Sequence, residues 1–224
     1  MKKILGAIGV FVVLVLGLGV NGWCQEDMAK YLNARLPFIE NQGQAGEGIA
    51  FYAQTFFGKV GITKEGEILY HLSEHKAQNT RHRTQGPDTK HQTPDTRGIV
   101  LSESLIGAKD FQIEGRERAE TGVNYFIGGK ENWRSGVPSY NIVSLGEVYP
   151  KTTAFLKAYG NNVEKLFCIE KEGDPKNIIL EIEGAENATI EPSGDLLLKT
   201  ELGDVSFKKP FAYQDIEGEK KRYL

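Results

Sequence analysis

Residues 123–150 read VNYFIGGKENWRSGVPSYNIVSLGEVYP, and this stretch decides the fold. It holds two dense apolar segments, Val123–Ile127 and Tyr140–Leu145, joined by a Gly-rich connector from Gly128 to Pro138. Branched and aromatic side chains pack well on a pleated surface, so both segments predict strands. Gly128, Gly129 and Gly136 accept backbone conformations that a Cβ would resist, so the connector predicts turns. Trp133 is one of two tryptophans and the other, Trp23, falls in the leader. The expectation is therefore a single buried indole anchoring this corner.

Working towards the amino terminus, the segment IVLSESLIG at 99–107 and FQIEG at 111–115 again read as strands. Residues 74–98 (EHKAQNTRHRTQGPDTKHQTPDTRG) carry no large apolar side chain. Such a segment buries too little surface to offset its ordering entropy, and it predicts a disordered polar insertion. Before it, Val60 and Ile62 alternate with Lys59 and Gly61, and Ile68, Tyr70 and Leu72 alternate beyond Lys64–Glu67. Period 2 on both sides of a short Gly-containing loop is a hairpin signature. Residues 26–37 (EDMAKYLNARLP) place Met28, Tyr31, Leu32 and Leu36 at helical spacing before Pro37, which predicts a short helix.

Beyond Pro150, AFLKAY, VEKLFCIE and IILEIEG each read as strands. Turns are expected at 192–195 and 217–219, between TIE and LLLKT and between FAYQDI and KKRYL. The fold class is thus all-β, mainly antiparallel and β-sandwich-like. The domain comprises an amino-terminal β segment (25–73), the polar insertion (74–98) and a main β domain (99–224). The last strand runs to Leu224 without a polar cap, and such an edge calls for a partner or a cover.

Residues 1–24 have the layout of an export signal: Lys2 and Lys3, an apolar run from Ile4 to Val20, and a more polar exit from Asn21 to Cys24. The alternatives are a retained anchor and a lipid-modified Cys24. Trp23 argues against the second, because that processing favours a small residue there. Cleavage after Cys24 would leave 200 residues, enough for one good-sized core. Lys2 and Lys3 are the leader's only charges, so the remainder would carry 25 basic and 30 acidic residues, a formal charge of −5. That balance gives no electrostatic footprint for nucleic acid or an anionic membrane. The expected location is secreted or at the cell surface.

Several ordered motifs resemble a known family. FIENQGQ at 38–44, VNYFIGGKENWRSGVPSY at 123–140, VYP at 148–150, GDPKNIILEIEGA at 173–185 and GDLLLKTELGDVSFKKPFAYQDIEGEKK at 194–221 carry the likeness. Together they resemble the amino-terminal domain of unknown function of bacterial exported proteins with SBBP-type β-propeller repeats, across residues 38–223. The resemblance implies an extracytoplasmic, all-β leader module serving β-propeller or immunoglobulin-like surface modules. It implies no enzymatic activity, no cofactor and no site residues. The polar segment 74–98 departs from the family pattern as an insertion.

No reaction is spelled out by the residues. His71 and His75 would meet on a helix face, but Ile68–Leu72 reads as strand, and His82 and His91 follow at spacings of 7 and 9, so no metal is expected. Cys168, flanked by apolar residues in LFCI, is expected to be a buried, inert thiol. No G-x-S-x-G is present, and Gly128-Gly129-Lys130 reads as a turn because no Walker motif surrounds it. Asn187-Ala188-Thr189 fits a glycosylation acceptor by pattern alone. Glycoside hydrolysis needs only two carboxylates a set distance apart, and Glu40, Asp110, Glu131 and Glu147 are the candidates. Trp133, Tyr140, Tyr149 and Tyr159 are either core or a sugar-binding face. The leading expectation is a non-catalytic interaction or structural module. The alternatives are a carbohydrate-active enzyme with paired carboxylates and a carbohydrate-binding module.

Overall fold

The computed structural model describes residues 4–5, 11–15, 34–73, 98–109, 111–120, 122–126, 128–160, 162–216 and 219–223. The strands before the polar insertion are β1 (Ile4–Leu5), β2 (Phe11–Val15), β3 (Arg35–Leu36), β4 (Phe38–Glu40), β5 (Ile49–Thr55), β6 (Gly58–Thr63) and β7 (Ile68–Ser73). After it come β8 (Gly98–Leu105), β9 (Glu114–Arg118), β10 (Val123–Tyr125), β11 (Arg134–Val137), β12 (Ser139–Tyr149), β13 (Thr152–Tyr159) and β14 (Val163–Ile169). The remainder are β15 (Ile179–Glu183), β16 (Asn187–Ile190), β17 (Leu196–Thr200), β18 (Gly203–Phe207), β19 (Ala212–Ile216) and β20 (Glu219–Tyr223). Helical structure among the described residues is confined to two short 3-10 turns, Lys130–Asn132 and Pro175–Asn177.

The chain is mostly antiparallel β, as the alternation predicts, and its main sheet is curled. The long strand β12 is the spine. Its residues Tyr140, Val143 and Ser144 each have two partners: β9 along one edge, and β4 followed by β13 along the other. From β4 the sheet continues through β5, β6, β7 and β8 to β15, and from β13 it continues to β14. Two branches therefore leave one edge of one strand and curl towards each other. Gly146, with φ +82°, stands at a register shift in β12, where an L side chain would be strained.

The core lies inside the curl because each branch turns its apolar face inward. In β13 the buried positions are Thr152, Ala154, Leu156 and Ala158, alternating with half-exposed neighbours. In β7 they are Ile68, Tyr70 and Leu72, and in β8 Leu101, Glu103 and Leu105. Phe38, Ile62, Val143 and Leu145 fill the centre at 1% exposure or less. Residues spaced by two share a face of a strand, so this alternation converts directly into an inside and an outside.

The expected hairpins at Lys64–Glu67 and 192–195 join β6 to β7 and β16 to β17, and β19 pairs with β20. Gly66 has φ +84°, and a Cβ there would fall 2.3 Å from the Phe111 ring. Of the helix expected over 26–37, residues 26–33 lie outside the described residues, and Arg35–Leu36 is a strand paired with Ala158 and Tyr159. Sheet pairing outweighs local helical spacing there. The insertion expected at 74–98 lies outside the described residues except Gly98, which opens β8. Of the leader, only Ile4–Leu5 and Phe11–Val15 are described; β1 pairs with β15, and β2 runs between β14 and β18.

Candidate functional site

Two sequence motifs far apart in the chain meet at one corner of the molecule. The first is the loop after β4, NQGQ at 41–44. Its Asn41 side chain donates to the carbonyl oxygens of Gly46 (2.9 Å) and Ile49 (2.8 Å), and its Oδ1 accepts from the Gly43 and Ala45 amides. Gln44 donates back to the Glu40 carbonyl and accepts from the Gln42 amide. These bonds close a compact loop from its own side chains, the use to which Asn and Gln are suited.

The second motif is the β10–β11 hairpin, with Val123 paired to Val137 and Tyr125 to Arg134. Asn124 Oδ1 accepts from Ser135 Oγ (3.0 Å) and the Gly136 amide (2.8 Å), which fixes the hairpin base. Arg134 spans the two motifs: its Nε donates to the Gln42 carbonyl at 2.9 Å, 92 residues away, and its Nη1 donates to the carbonyls of Glu131 and Trp133. A rigid guanidinium fork suits three carbonyls converging on one point. Tyr140 underlies the corner, with its hydroxyl donating to Glu40 Oε2 at 3.2 Å and its ring edge-on to Phe51. Burial first, then the Glu40 carboxylate, raises the Tyr140 hydroxyl above its ordinary range.

At the tip of this hairpin stand Phe126 and Trp133, 59% and 42% exposed. Their rings meet edge to face at 5.3 Å, and Lys130 Nζ lies 5.9 Å over the indole. The indole N–H donates to the Gly128 carbonyl at 3.4 Å. The expectation of a buried Trp133 anchor is thus corrected. The hairpin closes on itself over a 3-10 turn at Lys130–Asn132, and the turn lifts the indole onto the rim instead of into the core. The core position near that corner goes to Val137, fully buried.

The other singled-out residues are dispersed. Tyr149 is buried, with its hydroxyl donating to the Ile106 carbonyl, whereas Tyr159 is half-buried and donates to Glu164. Glu147 accepts from the Lys151 amide on the surface, and Glu131 sits at the exposed tip. Asp110 lies outside the described residues, as do His75, His82 and His91, while His71 is exposed on β7. Gly128 and Gly129 form the expected turn, and Asn187 opens β16 in an exposed position. No group of His, Cys, Asp or Glu among the described residues is arranged to hold a metal ion.

Cys168 is a second correction: it is exposed. Along β14 the inward positions are Val163, Lys165 and Phe167, which leaves Leu166 and Cys168 on the outer face. Apolar neighbours in sequence gave the wrong side because the strand turns a lysine inward. Partial burial raises the Cys168 thiol above its ordinary range, with Lys157 opposing.

That inward lysine belongs to a cluster the sequence reading missed. Lys165 Nζ lies 2.6 Å from Glu103 Oε1 and 2.5 Å from Oε2, and the Tyr70 hydroxyl donates to Oε2 at 2.9 Å. All three residues are at most 2% exposed, and Nζ lies 4.7 Å over the Phe207 ring. Burial holds Lys165 below the ordinary lysine range against the pull of Glu103, and burial with the nearby carboxylate raises Tyr70 well above its own. The signal was present in the sequence: Glu103 and Lys165 occupy inward slots of strands whose other inward residues are apolar.

Residues 38–223 match the family described as a domain of unknown function, DUF7948. No curated protein and no solved structure matches the chain. The match covers most of the sequence, and the chain belongs to the DUF7948 family of domains of unknown function.

Proposed function

We propose that this protein is a non-catalytic, extracytoplasmic interaction module of sandwich-like build, and that its contact surface is the corner carrying Phe126 and Trp133. The carrying observation is the pair of large aromatic rings held in the open at a hairpin tip. Exposed aromatic anchors braced by a fixed backbone are what binding surfaces use, because little side-chain entropy is lost on contact. Here the bracing comes from Arg134 and the Asn41 loop. The apolar leader supports export, and the likeness to leaders of repeat proteins supports a β-propeller or immunoglobulin-like partner.

The exposure of Trp133 favours a second reading, a carbohydrate-binding module, since an indole face beside polar groups suits a sugar ring. One experiment addresses both. The exported chain and its Trp133→Ser and Phe126→Ser variants are titrated against propeller-repeat proteins and against a polysaccharide panel. Binding to either class that falls at least about tenfold in both variants supports the corner as contact surface. Binding unchanged by both variants overturns it. Turnover on a hydrolase panel that vanishes when one carboxylate becomes an amide overturns the non-catalytic reading.

A further inference from the structure

Tyr70, Glu103 and Lys165 sit on β7, β8 and β14. Strands β8 and β14 are not neighbours in the sheet, so Glu103 and Lys165 reach each other across the inside of the curl, 62 residues apart in sequence. Nζ is nearly equidistant from both carboxyl oxygens, at 2.6 and 2.5 Å, which places it opposite Cδ at about 3 Å, a near-attack distance, and close to the carboxyl plane. The surroundings are Phe207, Leu101 and other fully or nearly fully buried apolar groups, which exclude water.

We propose that Lys165 and Glu103 condense to an internal amide, a covalent cross-link between β8 and β14. Proton transfer from Nζ to Oε1 across their contact first gives a neutral amine and a carboxylic acid. An apolar surround penalises charge, which lowers the cost of this transfer. Turns of the lysine's own side-chain torsions lift Nζ out of the carboxyl plane and over its face, while the carboxyl stays in place. The Nζ lone pair then attacks Cδ, and the charge developing on Oε2 is held by the Tyr70 O–H at its present position. Oε1 leaves with its own proton and one from the attacking nitrogen. One C–N bond forms, one C–O bond breaks and one water is released, with no oxidant or cofactor.

Burial of the lysine supports this chemistry, since it favours the unprotonated, nucleophilic amine. Tyr70 touches the reacting oxygen and is a catalytic residue in this scheme. Cys168 is unpaired, so an amide through the core would be a cross-link of a different kind from a disulfide.

The test is peptide-level and intact mass spectrometry of the exported chain. The expected result is a mass lower by one water and a branched peptide joining the segments that contain Lys165 and Glu103. Lys165 is then unreactive to acetylation even in denaturant. Glu103→Ala and Lys165→Arg restore the full mass, Glu103→Gln loses ammonia instead, and Tyr70→Phe slows formation. A folded wild-type chain with full mass and an acetylatable Lys165 after prolonged incubation overturns the proposal. So does a water loss that persists in Glu103→Ala. Should the variants fail to fold, the branched peptide from the wild-type chain still decides.

Discussion

Replacing Tyr70 by Phe removes a single oxygen from the centre of the molecule. The ring stays, along with its edge-to-face contact with Phe207 at 6.1 Å, so no cavity of consequence opens. What is lost is the 2.9 Å hydrogen bond to Glu103 Oε2 in a site closed to water. An acceptor left short of a donor in such a site costs about 1–3 kcal/mol if Oε2 belongs to an amide, and at least as much if it belongs to a carboxylate. The pH dependence has a definite sign. Tyr70 ionises in the unfolded chain near the ordinary tyrosine value of 10.0, whereas in the fold it stays protonated well above that. The unfolded state therefore sheds a proton first, and parental stability falls as pH rises beyond 10.0. The Phe variant lacks this loss, so the gap between the two proteins narrows by about 1 kcal/mol over the next pH unit. Urea unfolding followed by far-ultraviolet circular dichroism, at neutral pH and in an alkaline series, measures both quantities. A neutral-pH difference below about 0.5 kcal/mol would show that Oε2 does not depend on this donor. A gap that widens above pH 10.0 would refute the assigned direction of the titration.

Further outcomes follow from other sites. Gly58→Ala brings a Cβ within 1.9 Å of the His71 carbonyl oxygen at φ +143°, and is expected to cost about 3 kcal/mol or more in urea unfolding; a loss below about 1 kcal/mol would contradict the β6–β7 register. Cys168 reacts with a bulky maleimide in the native state, slowly at neutral pH and faster as pH rises past the ordinary thiol value of 9.0. Full protection until the chain unfolds would return it to the core. Asp195 is held below the ordinary carboxyl range first by Lys208 and then by the Lys209 amide. Its folded pKa is depressed, so its contribution to stability is present above 3.8 and fades as pH falls through the folded value. The stability gap between parent and Asp195→Asn should accordingly close in acid, and a gap that is constant from neutral to strongly acidic pH would exclude the assigned ion pair.

The reading of Trp133 shows where pattern stops being informative. The connector's glycines and polar residues announced a turn, and a turn is present, but a turn can carry an indole inward or outward. Composition favours burial of tryptophan in general, while the 3-10 turn and the Arg134 bonds to Gln42, Glu131 and Trp133 set its direction here. Those bonds link residues up to 92 positions apart. Local sequence carries no trace of them.

From the sequence alone came the class of the fold, because period-2 alternation in stretches such as TTAFLKAY and ILYHLS is a local property that each strand expresses on its own. The turns at Lys64–Glu67 and 192–195 came from the same source, since glycine's freedom is a property of one residue. Tertiary structure decided which face of each strand meets the core and which strand lies opposite. Alternation states that Val163, Lys165 and Phe167 share a side, but only closure of two branches leaving β12 turns that side inward and sets Lys165 against Glu103. A charged residue on an inward face is tolerable only when its partner arrives across the core, and the arrival depends on the curl of the whole sheet.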